Sequence, residues 1–167
     1  MSESTDLVFK DPSGEYVVRI SEKVADRIKT YCQMRMDQET GGVLVGRYTG
    51  SQREAVVMFA DGPPLDSKRG AFSFLRGVEG LAKKLAAFWT REGLYYLGEW
   101  HYHPLSAPVP SRTDHDCMSA IRSQRRVDCK VPILVIIGGN PQGQPLWSVT
   151  VYPAKGNPKS LPLLSRA

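Results

Sequence analysis

The chain has 167 residues, 22 Lys and Arg against 17 Asp and Glu, a formal charge of +5 and three His. With 41% hydrophobic and 23% charged residues, it can bury the core of one domain, which excludes wholesale disorder and a disulfide-built miniature scaffold. No apolar run nears the ~20 residues of a membrane span. The opening Met-Ser-Glu-Ser-Thr-Asp lacks the chemistry of a secretory signal. Three Cys, an odd number, fit a reducing cytoplasm better than a disulfide framework.

In chain order, residues 1–14 read as a flexible lead-in. Tyr16-Val-Val-Arg-Ile predicts a strand, and Ser21 caps a predicted helix over Glu22 to Met34, where Val24, Ile28 and Tyr31/Cys32 recur at helical spacing. Val43-Leu-Val-Gly reads as a short strand entered through a flexible Gly41-Gly42 pair. Arg53 to Ala60 reads as the next strand, set off by Thr49-Gly50-Ser51. Asp61-Gly-Pro-Pro opens a loop over 61–71, and Ala71 to Leu75 is a short strand candidate. The stripe Val78, Leu81, Ala82, Leu85, Phe88, Trp89 predicts a helix over Val78 to Glu92, stopped by Gly93. Leu94 to His101 reads as a strand and Thr113 to Gln124 as a third helix. Val131 to Ile137 and Leu146 to Tyr152 read as the last two strands. Residues 154–167 read as a flexible tail unless Leu161, Leu163 and Leu164 dock. The order is α/β: one domain over 15–153 with a central mixed sheet flanked by helices.

A pI of about 9.2 permits a nucleic-acid partner, but the cations are spread along the chain. The densest group, Arg122, Arg125, Arg126 and Lys130, falls at a predicted helix end, where positive charge suits the dipole. With no aromatic-interleaved basic stretch, a solvated face is the better reading.

All three His lie between positions 101 and 115. His101 and His103, two apart on a strand, project to one face, and two imidazoles so placed are half of a tetrahedral zinc site. Pro104 turns the chain, and a seven-residue loop leads to Ser111, with Asp114 one helical turn on. Asp114 can then be the third ligand, leaving a fourth position to water, as catalytic zinc requires. Ser111 and Asp114 also form a variant capping box, and both roles are compatible. Glu39, beside Thr40-Gly41-Gly42, is the candidate proton acceptor, or else a solvated loop acid. Glu99 is the rival, since strand parity places it beside His101. His115 reads as a surface or ligand-supporting residue. Cys117 shares a helix face with Asp114, but a fourth protein ligand would close the site, so Cys117, like Cys32 and Cys129, reads as a buried structural thiol.

Glu39-Thr-Gly-Gly-Val-Leu-Val-Gly, then Gly98-Glu-Trp-His-Tyr-His-Pro, six residues and Ser111-x-x-Asp114 together resemble the JAMM (JAB/MPN+) metalloprotease domain. The resemblance spans roughly residues 15–153. It implies that zinc is held by His101, His103 and Asp114, that Glu39 is the general acid/base, and that Ser111 steadies the oxyanion. Tyr102 stands where the family often has a small residue, which suggests an altered pocket rim. The family hydrolyses peptide or isopeptide bonds after the C-terminal glycine of ubiquitin-like modifiers. Within its bacterial branch the chain looks like the deconjugating peptidases of antiphage operons, including cyclic-oligonucleotide (CBASS) systems. A non-catalytic MPN-type scaffold, or a peptidase processing a sulfur-carrier protein, are the alternatives.

Overall fold

The computed structural model describes residues 6–124 and 128–166, so Arg125 and Arg126 of the basic group lie outside the described residues. Strands β1 (Leu7–Lys10) and β2 (Val17–Ile20) lead into helix α1 (Glu22–Gln33), followed by β3 (Thr40–Thr49) and β4 (Glu54–Ala60). A small hairpin, β5 (Lys68–Arg69) and β6 (Phe74–Leu75), precedes helix α2 (Leu81–Glu92) and β7 (Tyr95–Pro104). Helix α3 (Arg112–Ser123), β8 (Ile133–Gly139), β9 (Leu146–Val151), β10 (Lys159–Leu161) and β11 (Leu163–Arg166) complete the order. Nine strands form one sheet, β10-β9-β8-β7-β3-β4-β2-β1-β11, with β2/β4 and β7/β8 parallel and the other pairs antiparallel.

Alternation along the strands separates two layers. Leu44, Trp100, Tyr102, Ile133 and Val135 face α1, which buries Val24, Ala25, Ile28 and Cys32 against them. Val43 and Val45 face the other way, beneath Leu81, Leu85 and Phe88 of α2. Leu134, Ile136 and Tyr152 pack with Met118 of α3 on that same face. Ser21 caps α1 through Val24 N–H at 3.3 Å, as its sequence suggests. Helix α2 starts three residues later than its apolar stripe predicts, because Gly80 takes φ +71° and leaves Val78 exposed outside the helix.

The two ends of the chain depart most from expectation. The segment expected to be a flexible lead-in contains β1, whose Phe9 is fully buried. The expected flexible tail supplies β10 and β11, with only Pro162 between them. The first pairs with β9 and the second with β1, so one segment bridges both edges of the sheet. That satisfies edge backbone groups which would otherwise be open to other chains. Leu161 docks in the core, whereas Leu163 and Leu164 stay exposed. Short, interrupted strands at the sheet rim carry too little periodicity to show this in the sequence.

The glycine pair is also not a flexible entry. Gly41 and Gly42 lie inside β3, and a Cβ on Gly42 would stand 2.0 Å from the Asp61 carbonyl oxygen. Only glycine lets these segments approach so closely.

Phe9→Ala should destabilise the protein by about 3–5 kcal/mol, the cost of emptying a core aromatic site. A urea titration showing a change below about 0.5 kcal/mol would mean that β1 is a surface appendage after all.

Candidate metal centre

The register of β3 against β7 builds the site. Thr40 pairs with Tyr102 and Gly41 with His101, so Glu39, Gly41, Glu99, His101 and His103 belong to one face of the sheet. This is the face of α2 and α3. Loop 104–110 then folds back over the end of β8. Gly139 N–H donates to Ser106 O at 2.8 Å, and a Cβ on Gly138 would lie 2.3 Å from that same oxygen. The loop delivers Ser111 as the N-cap of α3 and Asp114 to the ligand position.

The donor atoms of His101, His103 and Asp114 all lie within 4.8 Å of one another. His101 Nδ1 is 2.7 Å from Asp114 Oδ1, and His103 Nε2 is 3.8 Å from Asp114 Oδ2. Two imidazole nitrogens and one carboxylate oxygen suit a borderline divalent cation, so the residues present fit a metal. Ser111 serves Asp114 twice. Its backbone N–H and its hydroxyl each donate to Asp114 Oδ2 at 2.7 Å, while Asp114 N–H donates to Ser111 Oγ at 3.1 Å. The capping box and the ligand position thus coincide, as their spacing allows.

Burial disfavours ionised Asp114, but hydrogen bonds from His101 and Ser111 overcome it and hold the carboxyl far below the usual range. Burial also opposes charge on His101, yet its bonds to Asp114 and then Glu99 carry its pKa up to about 9. His103 moves the other way: burial lowers its pKa, only partly offset by Asp114, and so favours the neutral ring a metal needs. Glu39 is half-buried and its pKa is raised, first by burial and then by Asp114, with His101 opposing. Its backbone N–H is fixed by Gly70 O at 2.9 Å.

Glu99 stands beside His101, where strand parity puts it, with Oε2 3.5 Å from His101 Nε2. It does not have the freedom of a rival base. Arg76 holds Oε1 through Nε and Nη2, both at 2.8 Å, in a pocket where Glu99 is 5% exposed. The pair occupies the second ring nitrogen of His101 and so favours the tautomer with Nδ1 turned to Asp114. Phe74 packs edge-on to the same ring, centroids 5.6 Å apart. Neither Phe74 nor Arg76 was legible as a site residue, because both arrive from the β5–β6 hairpin and its exit, far from the motif in sequence.

Three other expectations resolve. Tyr102 is fully buried on the α1 face, beneath the sheet rather than at the pocket rim, because it alternates with the ligands. His115 bonds Tyr152 Oη through Nδ1 at 2.8 Å. Cys117 is exposed, not buried, since the inward stripe of α3 runs Asp114, Met118, Ile121. Cys32 and Cys129 are buried, and burial pushes both thiols up to about 12. Among the described residues no helix is long and apolar enough to cross a membrane.

The sequence profile of prokaryotic homologs of the JAB domain matches residues 21–150. A relative from Enterobacter hormaechei subsp. hoffmannii, named CD-NTase/cGAS isopeptidase, is 36% identical over 148 residues, covering 89% of this chain and 82% of its own length. A protein of the same name from Vibrio cholerae is 36% identical over 116 residues, 68% of this chain and 73% of its own. A probable metalloprotease of Sinorhizobium fredii is 24% identical over 129 residues, 75% of this chain and 78% of its own. The solution structure of protein DSY2949 from Desulfitobacterium hafniense superposes with a TM-score of 0.58 at 20% identity, over 84% of this chain and 87% of that one, a likeness of fold. The profile match over most of the chain, together with these identities, makes this protein a member of the family of prokaryotic homologs of the JAB domain.

Proposed function

We propose that this protein is a zinc-dependent isopeptidase of bacterial antiphage defence. It acts in the cytoplasm on a ubiquitin-like modifier, or on a protein conjugated to its target in the ubiquitin-like manner. The observation that carries this reading is the convergence of His101, His103 and Asp114 within 4.8 Å, on the sheet face to which Glu39 also belongs. The isopeptidase names of the relatives support the class of bond and the CD-NTase setting, and the metalloprotease name supports the metal.

His101, His103 and Asp114 would hold the ion, with Glu99 and Ser111 fixing the orientation of two of them. Zinc there supplies Lewis-acid polarisation and makes water acidic near neutral pH. Glu39 takes the proton of the attacking water. As the carbon–nitrogen bond breaks, it returns that proton to the leaving lysine amine. Its raised pKa suits an acid that must both accept and release a proton. Ser111 positions Asp114. For it to donate to the oxyanion as well, its hydroxyl proton must turn from Asp114 Oδ2 to the substrate.

Elemental analysis of freshly purified protein should find about one zinc per chain, lost in His101→Ala and in Asp114→Ala. A metal-free preparation would sink the centre. Glu39→Gln should retain zinc but lose about 10²- to 10⁴-fold in rate, measured as release of a CD-NTase from its conjugate on a gel. Undiminished release would take the acid/base role away from Glu39 while leaving the metal site standing.

A further inference from the structure

A second cavity, of about 290 Å³, opens beside the end of α1, and we infer that it is a binding site for a small phosphate monoester. Its wall joins Tyr31, Met34 and Arg35 at the end of α1 to Thr40 of β3, Arg69 of the hairpin and Lys84 of α2. Arg35, Arg69 and Lys84 bring three cations to its wall, against the single carboxylate of Asp61. That carboxylate is already spent on Lys84, at 2.7 Å. Among the described residues, the side chains of Arg35 and Arg69 make no hydrogen bond and no ion pair.

The second observation is independent of charge. Among the described residues, three buried side-chain atoms have no hydrogen-bond partner: Thr40 Oγ1, Arg69 Nε and Tyr102 Oη. Two of the three belong to residues lining this one cavity. A buried donor left unmade costs about 1–3 kcal/mol, so two at one place point to a partner that comes from outside the chain. Both atoms are shut off from solvent as the side chains stand, so a ligand reaches them only with a rotamer change of Thr40 or Arg69.

The chemistry selects the ligand. The two guanidinium groups without a partner, Arg35 and Arg69, match the oxygens of a phosphate. The lining carries a surplus of two positive charges, which a dianionic monoester neutralises and a single carboxylate would not. Tyr31, Met34 and Pro63 add an apolar wall for a short organic group. The volume falls at the lower end of small-molecule pockets, which excludes a large ligand. The site adjoins the catalytic face by the chain itself. Thr40 follows Glu39, and Arg69 precedes Gly70, whose carbonyl accepts the Glu39 N–H. A bound phosphate would therefore grip both segments that hold Glu39.

Calorimetric titration of the zinc-loaded protein with glycerol 3-phosphate tests the site, with acetate as the carboxylate comparison. Glycerol 3-phosphate should bind, and about tenfold or more weaker in Arg69→Gln and in Arg35→Gln. Arg91→Gln, in the neighbouring cavity, should bind as the parent does. Circular dichroism melts establish that each variant folds, and exposed Arg35 can be replaced without loss of core. Binding should persist in His103→Ala, which separates this site from the metal centre and from the hydrolytic reading. No binding up to about 10 mM, or unchanged affinity in both arginine variants, would overturn the proposal. Acetate binding as tightly as the monoester would overturn it equally.

Discussion

Everything at the metal centre depends on how closely β3 can lie against β7 and the chain crossing behind it. A Cβ on Gly41 would stand 2.4 Å from the Trp100 carbonyl oxygen and 2.9 Å from His101 Cδ2, and one on Gly42 would run into the Asp61 carbonyl. With both glycines in place, Trp100 Nε1 reaches Asp61 O at 2.8 Å, and Gly41 stands opposite His101. That register decides which residues share the face of the candidate metal site. A slip of one residue would send Glu39 and Thr40 to each other's sides of the sheet.

Within that frame, one carboxylate does two jobs with the same oxygens. Asp114 closes the first turn of α3 through Ser111 and also meets the two imidazoles. The cap therefore holds the candidate ligand still, and a helix-stabilising motif would double as support for a metal. The charge balance follows from the same contacts. Asp114 and Glu99 bring two negative charges against Arg76, and the proton that His101 holds between its two carboxylates supplies the missing positive one. A divalent cation held by these groups would supply that charge in its place. The centre is preorganised because its ligands have alternative partners rather than none.

The sequence made the ligand set legible for a physical reason. His101 and His103 obey strand parity, and Ser111 and Asp114 obey helical spacing, so local periodicity alone puts them in place. The three helices and the long strands were legible on the same ground. What stayed hidden is non-local or aperiodic. Arg76 reaches Glu99 across 23 positions with no pattern connecting them. Strands β1, β10 and β11 are three or four residues long and gain their order from the sheet edges they join. Cys117 departs from the usual burial of free Cys because α3 exposes the side on which it sits. Tyr102 was misplaced because its position between two ligands suggested nearness to the pocket, whereas alternation places it on the opposite surface.

That alternation ties the two faces of the sheet together. Just before β3, Glu39 belongs to the side of the candidate metal site and Thr40 lines the cavity beside α1, so one strand end carries the candidate acid/base carboxylate and an unpartnered hydroxyl in consecutive residues. The β5–β6 hairpin also touches both places. Phe74 rests on His101, while Arg69, which stands opposite it in the hairpin register, lines the cavity beside α1. Packed strands move as units, since their interiors have no slack to absorb a local shift. The same two segments thus position Glu39, through the Gly70 carbonyl, and the ring of His101, through Phe74, while Thr40 and Arg69 line the cavity.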